Sequence, residues 1–125
     1  MSVVQGHDDG VWLFGGALGD VVRCTLTRNW GAGVSLSGRG THAVITGCAV
    51  SSNGGGIFSS AHARGRVERN AVWGNRASGV AIFTGARPEV ARNWILGNYS
   101  VGILCTRGGD ESGGFSRWWA THEGA

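Results

Sequence analysis

A glycine followed by an apolar residue recurs five times at one interval, as Gly10-Val11, Gly33-Val34, Gly56-Ile57, Gly79-Val80 and Gly102-Ile103, each step being 23 residues. A fixed spacing in the range of about 20–50 residues marks stacked units, each too small to bury its own apolar face without neighbours above and below. The eleventh residue after each glycine is Val21, Val44, Val67 and Val90, which predicts an inward-facing ladder with the same step. The third residue is Leu13, Leu36, Ser59, Ile82 and Cys105, and the sixteenth is Leu26, Ala49, Val72 and Ile95. Three short inward-facing segments per unit are therefore expected.

Around the repeat glycine the pattern alternates, as in Val34-Ser35-Leu36-Ser37, the period of two that sends successive side chains to opposite faces of a strand. Valine dominates and helix formers at 3.6 spacing are missing, so strands are favoured over a crossover helix. Asparagine marks two corners. Asn70 and Asn93 share the fourteenth position, where the first two units carry Cys24 and Gly47; Asn29, Asn75 and Asn98 share the nineteenth, where the second unit carries Ser52. In coils about 4.8 Å apart, amides in register hydrogen-bond along the stack, which gives these asparagines a structural role.

The segments Val67-Glu-Arg-Asn-Ala-Val-Trp-Gly-Asn75 and Val90-Ala-Arg-Asn-Trp-Ile-Leu-Gly-Asn98 carry a V-x-x-N-x-[VI]-x-x-N frame, followed three residues later by Gly-apolar. This arrangement resembles the right-handed parallel β-helix proteins with pectate-lyase-like repeats, and within them the β-helix repeats of F-box proteins and NosD-type proteins. The resemblance implies an all-β, right-handed parallel β-helix solenoid with three short strands per 23-residue coil. It covers about residues 9–106. Residues 1–8 are expected to form a partial coil or cap, and residues 107–125 a glycine-rich tail that is either disordered or caps the last coil. Leucine-rich repeats share the period, but their leucine frame is absent.

Composition excludes several classes. Twenty-four glycines and one proline point to tight corners rather than a collagen-like or proline-rich chain. All 11 basic residues are arginine, and the net charge of +3 is spread along the chain without the clustered stripe of a nucleic-acid interface. No stretch approaches about 18 uninterrupted apolar residues and the start lacks a secretory pattern, so neither a membrane partner nor an extracytoplasmic address is expected. The three cysteines, Cys24, Cys48 and Cys105, lack CxxC spacing; buried free thiols are expected, with no metal and no cofactor.

Chemistry is sparse. Asp20 and Glu89 share the tenth position three coils apart, about 14 Å at the usual strand spacing, beyond the roughly 5–9.5 Å of paired glycosidase carboxylates. Glu68 with Arg66, Arg69 and Arg92 reads as a surface charge cluster, Asp8-Asp9 beside His7 as a solvated terminus, and His42 and His62 as corner histidines. No catalytic residue is assigned. The outward positions of the first strand are Trp12 and Phe14, Ser35 and Ser37, Phe58 and Ser60, Ala81 and Phe83. Trp12, Phe14, Phe58 and Phe83 are the candidate binding residues, because exposed rings on a rigid sheet offer large contact area at little entropic cost. Two functions follow: a non-catalytic module that recognises a protein ligand, as in a ubiquitin-ligase-type subunit by resemblance, or a carbohydrate-binding or polysaccharide-processing module. Open strand edges at the ends also allow end-to-end self-association or a longer parent chain.

Overall fold

The computed structural model describes residues 2–105 and 122–124. Strand β1 (Ser2–Val4) precedes the first full coil, which holds β2 (Val11–Phe14), β3 (Leu18–Val22) and β4 (Cys24–Thr27). Coil 2 holds β5 (Ala32–Ser37), β6 (His42–Thr46) and β7 (Ala49–Ser51); coil 3 holds β8 (Gly55–Ser60), β9 (Arg64–Glu68) and β10 (Ala71–Trp73). Coil 4 holds β11 (Val80–Ile82), β12 (Arg87–Ala91) and β13 (Trp94–Leu96), and β14 (Ile103–Cys105) and β15 (His122–Gly124) follow. The first strands of the coils form one sheet in the order β14-β11-β8-β5-β2, the second strands another, β12-β9-β6-β3, and the third strands the last, β1-β4-β7-β10-β13-β15. All pairs are parallel. The chain is a parallel β-solenoid of about five turns.

Each column of the interior is one kind of side chain repeated. Leu36 and Ile82 come from the first sheet, Ile45, Val67 and Val90 from the second, and Leu26, Val50, Val72 and Ile95 from the third, all 0–1% exposed. Burying each contributes about 1.5–3 kcal/mol, which a single coil could not collect alone.

The corners explain the rest of the repeat. At the second corner one residue in the left-handed region precedes an inward-pointing one: Arg23, Gly47, Arg69 and Arg92 have φ of 52°, 68°, 58° and 56°. The third corner repeats this with Arg28, Ser52, Gly74 and Gly97 at 58°, 58°, 63° and 62°. The inward side chain then satisfies backbone groups that the bend removes from the ladders. At the third corner Asn53 Nδ2 donates to Leu26 O in the coil below (2.9 Å) and to Asn75 Oδ1 in the coil above (3.1 Å). That Oδ1 also accepts from the Asn53 backbone N–H (3.0 Å), and Asn75 repeats the pattern with Asn98. Every donor and acceptor of such an amide is used.

The repeat glycine is a close-approach residue. A Cβ on Gly79 would lie 2.7 Å from Asn98 Nδ2, 2.8 Å from Gly102 O and 2.8 Å from Ile95 Cγ2. Hydrogen alone fits between the asparagine ladder, the next coil's carbonyl and the third-sheet column.

Coil 2 departs from the sequence-based expectation. Its first corner is one residue longer: the closing bond from Thr41 N–H to Gly38 O (3.2 Å) begins one residue later than in the other coils, where it runs as from Ala17 N–H to Phe14 O (3.2 Å), Phe14 being in register with Ser37. It loses one residue again between Asn53 and Gly56. The register is therefore Val21↔Ile45↔Val67, and Val44 is displaced from the predicted ladder to the outer face, between Asp20 and Arg66. Ile45, 0% exposed, fills the column instead. The same shift puts Cys48, Val50 and Asn53 where Gly47, Ala49 and Ser52 were expected. Gain and loss both fall between Gly33 and Gly56, so the 23-residue glycine period does not register them.

Candidate functional site

The first sheet carries the four aromatic residues singled out from sequence. Trp12 and Phe14 lie two residues apart on the outer face of β2, in the first full coil, with rings stacked at 4.4 Å between centroids and 30° between planes. Both are more than half exposed. Phe58 on β8 and Phe83 just after β11 form a second pair, 5.6 Å apart and edge-to-face at 79°. That pair is half-buried: the Phe58 ring lies over Gly55 of its own strand, a position that has no side chain to displace it. The four rings share one face as two pairs. Between them runs β5, with Ser35 paired to Trp12 and Phe58, and Ser37 paired to Phe14 and Ser60. Two strand spacings, about 10 Å, separate the Trp12 and Phe58 backbones.

The third sheet adds an aromatic surface that the sequence-based site lacks. Ala71 pairs with Trp94 and Trp73 with Leu96, so the two tryptophans stand diagonally across a two-by-two tile. Together these four residues line an apolar slot of about 320 Å³. The signal was in the sequence: Ala71/Trp94 and Trp73/Leu96 are each 23 residues apart, flanking the inward pair Val72/Ile95. At the third corner Arg76 reaches past Gly54 to Trp30, its guanidinium 5.8 Å from the ring centroid and its Nη2 donating to Trp30 O (3.4 Å).

The charged residues form a network along the second sheet. The Glu68 carboxylate, 15% exposed, faces three arginines: Arg92 at 3.4 Å, Arg66 at 3.7 Å and Arg69 at 3.8 Å. Arg66 also meets Glu89 at 3.6 Å. Asp20 and Glu89 stand in one column with Val44 and Arg66 between them. His62 is a corner residue, at φ 66°, whereas His42 opens β6, beside Leu18 and Arg64. Asp9 caps the third corner: its Oδ1 accepts from Ala32 N–H at 2.9 Å.

Cysteine takes an asparagine's place at the second corner. Asn70 Nδ2 donates to Ile45 O (2.9 Å) and Asn93 Nδ2 to Val67 O (2.8 Å); one coil lower, Cys48 Sγ donates to the equivalent Val21 O (3.3 Å). The Cys48 N–H is held by Asn70 Oδ1 at 3.0 Å. Burial is the largest influence on the Cys48 thiol and pushes its pKa up, so the donating S–H form is retained.

Parallel coils, corner ladders and a filled interior define a β-helix. The chain belongs to the right-handed β-helix family: a family model described as "Right handed beta helix region" matches residues 2–114. Comparison with the curated proteins and with the solved structures finds no match.

Proposed function

We propose that this β-helix is a non-catalytic recognition module that presents an outer sheet face to a protein ligand. The carrying observation is the Trp12–Phe14 stack, more than half exposed on a sheet whose register is fixed by the coils on its other side. Rings held this way are already ordered before a ligand arrives, and aromatic anchors dominate protein interfaces. The Trp73–Trp94 slot supplies a second anchor of the same kind. The frame shared with the repeats of β-helix F-box proteins supports substrate recognition within a ubiquitin-ligase-type assembly as the biological setting.

A second reading is carbohydrate binding or processing on the first sheet. It is favoured by the serine row of β5 and β8 lying between two aromatic pairs, since sugars use ring faces and hydroxyl partners together. A glycan array and a peptide-display selection on the same immobilised protein separate the two. Enrichment of a peptide consensus whose affinity falls at least tenfold on Trp12→Ala supports protein recognition. Saturable glycan binding lost on Phe58→Ala transfers the assignment to carbohydrate.

A further inference from the structure

The second sheet carries a feature that neither reading uses. At the start of its strands His42, Arg64 and Arg87 stand side by side in register on the outer face. Arg64 and Arg87 form a wall shared by two grooves. One, about 390 Å³, runs toward His42, Arg66 and Glu89; the other, about 310 Å³, turns onto the first corner between Arg39 and His62. Among the described residues, four arginines thus line a continuous surface with one carboxylate, Glu89, which meets Arg66 at 3.6 Å. Arg64 makes no ion pair among the described residues.

Backbone geometry keeps this surface open. Gly65 is an inward position between Arg64 and Arg66, in register with Ala43, whose backbone a Cβ would press on, so only its backbone reaches the floor of the larger groove. Gly85 sits beside His62 with φ 70°, and a Cβ there would come within 2.5 Å of the imidazole ring. His62 Nε2 is in turn 3.3 Å from Arg39 Nη2, which holds the corner's outer rim in place.

We propose that this surface binds an acidic polypeptide segment. Guanidinium groups take carboxylates in two-bond, fork-on-fork geometry, and adjacent strands set them about 4.8 Å apart. From coil 2 to coil 4 the cations span about 10 Å, room for two carboxylates on alternate residues of an extended segment, about 6.7 Å apart. Among the described residues, no phenylalanine, tyrosine or tryptophan lines either groove. Bases of a single strand and the rings of a glycan both rely on such platforms, so a peptide fits this surface better than either. The surface lies on a different sheet from the Trp12–Phe14 stack and stands or falls independently of it.

The test is fluorescence anisotropy with a labelled glutamate–glycine alternating peptide, titrated with the full chain at low and at physiological salt. Saturable binding that weakens with salt is expected. An Arg64→Ala, Arg87→Ala double variant with an unchanged circular dichroism spectrum should lose affinity by on the order of a hundredfold. Arg64→Glu should weaken binding of the acidic peptide more than Arg64→Ala does, and Trp12→Ala should bind it as wild type does. Equal affinity of wild type and the double variant overturns the proposal. So does tighter binding of a sulfated oligosaccharide or a single-stranded oligonucleotide, which would reassign the surface to those ligands.

Discussion

Coils 2 and 4 have the same length and the same sheets, yet they spend their residues differently. Coil 4 turns its first corner on Thr84-Gly85, both at positive φ, and places Asn93 at its second corner. Coil 2 uses an extra residue at the first corner, one fewer at the third, and Cys48 at the second. Despite this, Ile45 and Val90 occupy the same interior column and both are 0% exposed. Corners absorb insertions because their outer side is solvent, whereas an interior column admits no slip: one residue turns every side chain of a strand to the opposite face.

The largest expected effect comes from testing that slip directly. Ile45→Asp places an unpaired charge in the interior and should cost about 4 kcal/mol or more, close to global unfolding. Val44→Asp, one residue earlier, should stay within about 1 kcal/mol of wild type, its carboxylate beside Arg66 on the outer face. Val67→Asp and Val90→Asp should behave like Ile45→Asp. Thermal melts of the four variants check the set; a severe Val44→Asp with a mild Ile45→Asp would restore the unshifted register and dissolve the contrast between the coils.

This contrast also marks how far the sequence could be read. Strand number, coil length, the glycine positions and the ladders of coils 3 and 4 were legible, because Val67 to Asn75 and Val90 to Asn98 repeat without a gap. Coil 2 was misread by one residue from its first corner to its third, since the repeat glycines are fixed by close backbone approach and their period is blind to compensating changes between them. The aromatic candidates shared one face, as alternation required. Their division into two pairs was not legible, because it depends on the Phe58 ring settling over Gly55. The Trp73–Trp94 slot was missed for a different reason: the 23-residue period pairs Ala71 with Trp94 and Trp73 with Leu96, but the two tryptophans hold different repeat positions and so form no ladder.

Next in size is the second-corner ladder. Asn93→Ala removes the acceptor of the Asn70 N–H and Nδ2 and the donor to Val67 O, all buried, and should cost about 3 kcal/mol. Cys48→Ala removes one weak S–H donor and should cost about 1 kcal/mol. Urea melts of both variants give the ratio, and equal losses would remove the distinction between amide and thiol.

Cys48→Asn converts the corner of coil 2 into that of coil 4. The new amide can donate to Val21 O as the thiol does and adds an acceptor facing Cys24, for a gain of about 1 kcal/mol. It also alters the pH dependence. The folded thiol holds its proton more tightly than the unfolded one, whose ordinary value is 9.0. That stabilisation is complete below the unfolded value and is lost as pH rises through the raised folded value. Wild type should therefore lose stability in the alkaline range from about pH 9 upward, and Cys48→Asn should lack that part of the decline. Parallel alkaline profiles for the two proteins would mean that the thiol is as free to ionise in the fold as outside it.

The smallest effect lies in the coil between the two. In the first-sheet column Leu36 of coil 2 and Ile82 of coil 4 are fully buried, and Ser59 of coil 3 stands between them, 2% exposed. Its hydroxyl is buried and has no hydrogen-bond partner among the described residues. A hydroxyl in an otherwise apolar column is dehydrated without compensation, so Ser59→Ala should stabilise the protein by up to about 1 kcal/mol and raise Tm by a few degrees. Alanine keeps the Cβ and removes only the unsatisfied atom, leaving a void smaller than a methyl group. A fall in Tm would mean that the oxygen carries a bond after all, and that coil 3 holds its column by a contact that coils 2 and 4 do without.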